Sequence, residues 1–96
     1  MSARIGDQEF EHAIYDEEGD ILYLRNGEPA KAASTQATVE GHAVRFDEDG
    51  IVIGMTIVNA GWLASHEEEI TISLPRAQIA VPAGDVAVAL EHSVSQ

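Results

Sequence analysis

The stretch Asp47-Glu48-Asp49-Gly50-Ile51-Val52-Ile53-Gly54-Met55-Thr56-Ile57-Val58 decides the fold class. Its first four residues form a hairpin turn, because Asp favours turn entry and Gly closes it. The rest reads as a strand with side chains alternating between two faces. One face carries Ile51, Ile53, Met55 and Ile57; the other carries Val52, Gly54, Thr56 and Val58. A strand apolar on both faces predicts a central position, covered from both sides. Gly54 in its middle predicts a bulge or a close backbone approach.

Working upstream, Ala43-Val44-Arg45-Phe46 is the partner strand across that turn, with Val44 and Phe46 on one face. An earlier hairpin mirrors it. His12-Ala13-Ile14-Tyr15 and Ile21-Leu22-Tyr23-Leu24-Arg25 are short strands joined by the acidic turn Asp16-Glu17-Glu18-Gly19-Asp20. There Gly19 is expected to supply a positive φ. Asn26-Gly27-Glu28-Pro29 is a further turn. Residues 30–38, rich in Ala, Ser and Thr, have no clear period and read as an extended edge or a short helix. Residues 1–10 are polar and aperiodic, and read as a flexible arm.

Downstream, Asn59-Ala60-Gly61 ends the central strand, Trp62 and Leu63 follow, and Ser65 to Glu69 is an acidic loop. Ile70-Thr71-Ile72-Ser73-Leu74 alternates cleanly until Pro75 stops it. Gln78–Val81 is one more short strand. Pro82-Ala83-Gly84-Asp85 opens a C-terminal helix with Asp85 as N-cap, and Val86, Leu90 and Val94 share one of its faces. The expectation is an α+β, mostly β domain over residues 11–96. It is an antiparallel sheet of five to six short strands built from hairpins, with one C-terminal helix. That helix covers one sheet face, so the doubly apolar strand predicts a curled sheet or a homodimer.

Charge narrows the partners. The chain of 96 residues holds 17 acidic side chains against 5 basic ones, a net −12. Arg4, Arg25, Lys31, Arg45 and Arg76 form no cluster, which argues against direct nucleic-acid binding and against an anionic membrane surface. The two acidic stretches, residues 1–20 and 47–69, each net −6 and favour a basic protein or cations. No apolar run approaches the roughly 20 residues of a membrane span, and no leader is visible, so the expected compartment is the cytoplasm. Without cysteine there is no disulfide, thiolate metal site or cysteine nucleophile.

Residues 15–60 resemble a small bacterial and archaeal family, domain of unknown function 2283. Tyr15-Asp16-Glu17-Glu18-Gly19-Asp20-Ile21-Leu22-Tyr23-Leu24 looks like its opening hairpin. Asp47-Glu48-Asp49-Gly50, then Val52, Gly54-Met55-Thr56-Ile57 and Asn59-Ala60, is similar to its second. The chain departs from the family at Thr56 and Gly19, where members carry acidic residues. The resemblance implies a small sheet-rich domain, with some members looking like antitoxin halves of toxin–antitoxin pairs.

No constellation points to an enzyme or a cofactor. Placing Gly50 at the sixth position of a calcium loop puts Arg45 first and Thr56 twelfth, neither a suitable ligand. His12, His42, His66 and His92 lie 24 to 30 residues apart, so a zinc site needs the fold to gather His42, His66 and a Glu. Glu40-Gly41-His42 offers an acid–base pair only in an extended strand. No phosphate loop, dinucleotide fingerprint or nucleophile elbow is present. Trp62 reads either as an interface anchor or as a lid on the core. The leading expectation is a non-enzymatic interaction module. Its candidate interface is Trp62 and Leu63 with the acids Asp16, Glu17, Glu18, Asp47, Glu48 and Asp49; the acidic stretch 67–69 is expected to add rim contacts and the spare apolar face of strand 51–58 to add buried area. A small-ligand or divalent-cation binding domain is the alternative.

Overall fold

The computed structural model describes residues 3–27 and 32–95. In chain order its strands are β1 Ala3–Ile5, β2 Gln8–Phe10, β3 His12–Asp16, β4 Ile21–Arg25, β5 Ser34–Ala37, β6 Ala43–Phe46 and β7 Val52–Val58, then β8 Glu69–Ser73, β9 Gln78–Pro82 and β10 Val94–Ser95. Helix α1, Ala60–His66, follows β7, and α2, Ala83–His92, follows β9. The main sheet has the order β10-β3-β4-β7-β6-β5, antiparallel except for the parallel pairing of β10 with β3. The class is α+β, mostly β, with the two hairpins as read and a C-terminal helix.

Strand β7 is central, bonded to β4 on one side and β6 on the other. Its neighbours place Ala13, Leu24, Met55 and Val44 in one row, and Tyr15, Leu22 and Ile57 in the next. This face is buried. Leu22, Leu24, Val44 and Ile57 lose essentially all exposure, each contributing about 1.5–3 kcal/mol. Against them pack Val86 and Ala89 of α2, Ala60 of α1, and Ile70, Ile72 and Val81 of the β8–β9 hairpin. The opposite face is half-buried among the described residues: of its strand positions only Gly54 is buried. The double cover expected for β7 is therefore not seen among the described residues.

A register shift between Arg45 and Phe46 sets Phe46 opposite Val52 and leaves Ile53 as the extra residue. The bulge expected at Gly54 thus lies one residue before it. It turns Val52 toward the core, while Ile51 stays in the turn, 58% exposed. A methyl at Gly54 would meet Leu24 O at 3.4 Å and Arg45 Cβ at 3.5 Å, ordinary contacts, so crowding does not require glycine.

Several expectations are corrected. Residues 3–10 are a hairpin rather than an arm: Gly6, at φ 59°, opens the tight turn, and Ile5 and Phe10 are buried. The residue with positive φ in the first acidic turn is Asp20, at 55°, not Gly19; Asp tolerates this region better than most side chains. Residues 60–66 are helical where a strand end and a loop were read. Asp85 is not the N-cap of α2. Pro82 is, and the Asp85 carboxylate accepts the Gly6 amide at 2.8 Å, tying the β1–β2 turn to the helix. The helix stops at His92, so Val94 belongs to β10 and not to the helical face. Of residues 30–38, Ser34–Ala37 are the extended edge; Glu28 to Lys31, half of the expected turn included, lie outside the described residues.

Candidate functional site

Asp20 organises one end of the sheet. Burial works to raise its carboxyl, but three donors outweigh that and hold it below the usual carboxylate range. Tyr15 Oη donates to Oδ1 at 2.6 Å, Gly61 N to Oδ1 at 2.7 Å, and Trp62 N to Oδ2 at 3.2 Å. The residue before α1, Asn59, sits at φ 56° and makes no side-chain cap. Asp20 therefore satisfies the free N–H groups of a helix 41 residues away in sequence. The same contacts push the Tyr15 hydroxyl up to about 12, the hydrogen bond to Asp20 first, then desolvation and nearby negative charge.

That anchoring fixes Trp62 on α1. Its indole is 53% exposed and stacks on His66, ring centroids 4.3 Å apart and planes 8° from parallel. His66 Nδ1 lies 2.9 Å from Trp62 O, which orients the imidazole against the indole. Leu63 turns the other way and packs against the core. Trp62 is thus neither buried nor a lid.

Beside α1 lies a cleft of about 300 Å³ lined by Leu63, Glu67, Glu69, Glu40 and His42 among others. His42, 3% exposed, is the one buried polar side chain of the described residues. Its Nδ1 accepts the Val58 amide at 3.1 Å, so the neutral ring carries its proton on Nε2. Burial lowers its pKa, and the nearby Glu40 charge works the other way. Glu40 itself turns to Ser73. The Ser73 hydroxyl and amide both donate to its carboxylate and pull it down to about 2. A Glu40–His42 acid–base pair is therefore not assembled, since each group is committed elsewhere. Nor can Nε2 ligate a metal while Nδ1 accepts from Val58. Among the described residues no three metal-ligating side chains stand close enough to hold a cation.

The acids of the candidate interface divide. Asp16, Glu17 and Glu18 occupy the turn that ends at Asp20, next to the start of α1. Asp47, Glu48 and Asp49 stand at the opposite end, because β7 begins there, and they border Asn26 and Ile53. Asp47 Oδ1 accepts the amides of Asp49 and Ile51, closing its own turn. The fold thus joins Trp62 and Leu63 to the first acidic turn and excludes the second. The acidic run 67–69 was expected as rim, and His66 is the member that sequence reasoning missed. The nearness of that run to Trp62 required the helix.

No helix of the described residues is long and apolar enough to cross a membrane. No curated protein and no solved structure shows a recognisable match to the chain. A family model described as a protein of unknown function (DUF2283) matches residues 12–60, which spans β3 to β7 and ends on the first residue of α1. With its two acidic hairpins and the edge strand β5 all inside the matched segment, the chain belongs to the DUF2283 family.

Proposed function

We propose that this is a non-enzymatic interaction module whose binding surface is the exposed face of α1 and its acidic surroundings. One observation carries the reading: Trp62 is held half out of the protein, stacked on His66, on a helix that Asp20 fixes in place. An exposed, immobilised tryptophan gives a partner large contact area at little entropic cost, the character of an interface hot spot. Asp16, Glu17 and Glu18 on one side and Glu67 and Glu69 on the other give that anchor a negative rim. Such a rim selects a basic protein and accelerates its encounter. Loss of the indole should weaken binding by about 2 kcal/mol, roughly 30-fold.

The test is capture from the native host's lysate, read by native mass spectrometry at low and high salt. Wild type is compared with Trp62→Ala and with Glu67→Gln/Glu69→Gln. The expected result is a stoichiometric basic protein that is lost at high salt and lost from both variants. A captured set that neither substitution changes would overturn the reading.

The cleft at Glu40 and His42 favours a second reading, a small-ligand site. Its size lies at the lower end of ligand pockets, about 300–1,000 Å³. A ligand that binds only the folded state raises the melting temperature. A metabolite screen by thermal shift, with Ca²⁺, Mg²⁺ and Zn²⁺ included, separates this reading from the first.

A further inference from the structure

The cleft beside α1 is chemically one-sided. Glu40, Glu67 and Glu69 stand on its walls, Leu63 and Ile70 give it an apolar side, and among the described residues no lysine or arginine lines it. Glu67 and Glu69 are exposed. Glu40 is fixed in place, because the Ser73 amide and hydroxyl both donate to its carboxylate. Acidity alone would be a solvated rim. The second feature is His42, only 3% exposed, whose Nδ1 accepts the Val58 amide. Nε2 therefore carries the proton, and among the described residues no group accepts it. No fully enclosed side-chain nitrogen or oxygen of the described residues lacks a partner. The Nε2–H is thus not sealed in the core; it opens into the cleft that the ring borders. A donor so nearly enclosed is costly to leave unsatisfied, and an acceptor in the cleft satisfies it.

We propose that the cleft binds an organic cation that also carries an acceptor oxygen, the chemistry of an arginine or lysine residue with its neighbouring carbonyl. The cationic head lies against Glu67 and Glu69, the carbonyl oxygen accepts from His42 Nε2, and the aliphatic stem runs along Leu63 and Ile70. This rests on the reading of the cleft as a ligand site and narrows it to one ligand class. An anion would meet three carboxylates. An inorganic cation would find no three ligating side chains close enough among the described residues. A guanidinium head suits the site best, since its planar fork matches carboxylate oxygens.

Binding of acetyl-arginine-amide to the full chain tests this, followed by calorimetry and by the His42 ring signals in proton–nitrogen NMR. The expected result is binding with a shift of the Nε2 resonance. Acetyl-citrulline-amide keeps the shape and the carbonyls but has no charge, and should bind about tenfold more weakly. Butylguanidine keeps the charge but has no carbonyl; it should bind about fivefold more weakly and shift Nε2 less. Glu67→Gln/Glu69→Gln should weaken the arginine probe about tenfold. Glu48→Gln, in the acidic turn at the opposite end of the sheet, should not. Free arginine separates the two sources of this chemistry: tighter binding than the capped probe assigns the cleft to a free metabolite, weaker binding to a basic residue of a partner chain. A citrulline probe that binds as strongly as the arginine probe, or an arginine probe that leaves Nε2 unmoved, would overturn the ligand class while the cleft remains a ligand site. Failure of every probe would overturn the proposal. If the thermal-shift screen of metabolites then also finds nothing, the ligand-site reading falls with it.

Discussion

The hydroxyl of Tyr15 and the amide of Gly61 converge on a single atom, Oδ1 of Asp20, at 2.6 and 2.7 Å. This contact joins the first hairpin to the start of α1, and so to Trp62. Removing the negative charge with Asp20→Asn keeps a residue that tolerates positive φ but weakens every donor contact. The expected loss is about 1–2 kcal/mol, and Tyr15→Phe should cost about 1 kcal/mol. Chemical denaturation checks both. If the two losses simply add in the double variant, the hydroxyl and the carboxylate do not act together.

Two helical glycines should respond in opposite directions to alanine. A Cβ on Gly61 would stand 2.9 Å from Asp20 Oδ1 and 3.1 Å from Tyr15 Oη, whereas one on Gly84 meets nothing within 4 Å. Helix propensity favours both changes by up to about 1 kcal/mol. Gly84→Ala should therefore stabilise by a few tenths to 1 kcal/mol, and Gly61→Ala should destabilise by about 1–2 kcal/mol. Melting curves that show a gain for Gly61→Ala would mean that the Asp20 contact is slack.

Acid should act through His42. In the unfolded chain the imidazole takes a proton near its ordinary 6.5, and in the folded chain only at lower pH. Below about 6.5 the unfolded state binds the extra proton, so stability falls as pH drops and is fully present above that value. His42→Asn keeps an acceptor for the Val58 amide and removes the titration. Denaturation midpoints measured from neutral to mildly acidic pH should therefore fall less steeply in the variant than in wild type.

Phe10 reports on the amino-terminal hairpin. It has no exposure and belongs to the core. Phe10→Ala should cost about 3–5 kcal/mol, a core-sized loss. A loss below about 1 kcal/mol would return residues 3–10 to the status of an arm.

Chemistry that acts over a few residues was legible in the sequence. The acidic turns, the glycine at position 50 and the alternation of the strands placed β3, β4, β6, β7, β8 and β9 close to their observed ranges. Strands β1 and β2 escaped because three residues are too few to show a period, although Gly6-Asp7 between them is a two-residue hairpin signal. Helix α1 escaped because its capping carboxylate belongs to Asp20, which no local pattern connects to residue 60.

Composition and alternation by themselves determined an acidic, mostly β chain with a central strand read at 51–58, because turn chemistry and side-chain period are local properties of the backbone. Only the tertiary structure decided which acids surround Trp62, that His42 is buried against Val58, and that one face of the sheet is only half-buried among the described residues. Those relations depend on which strand ends meet in space. Pairing direction sets that, and no single stretch of sequence encodes it.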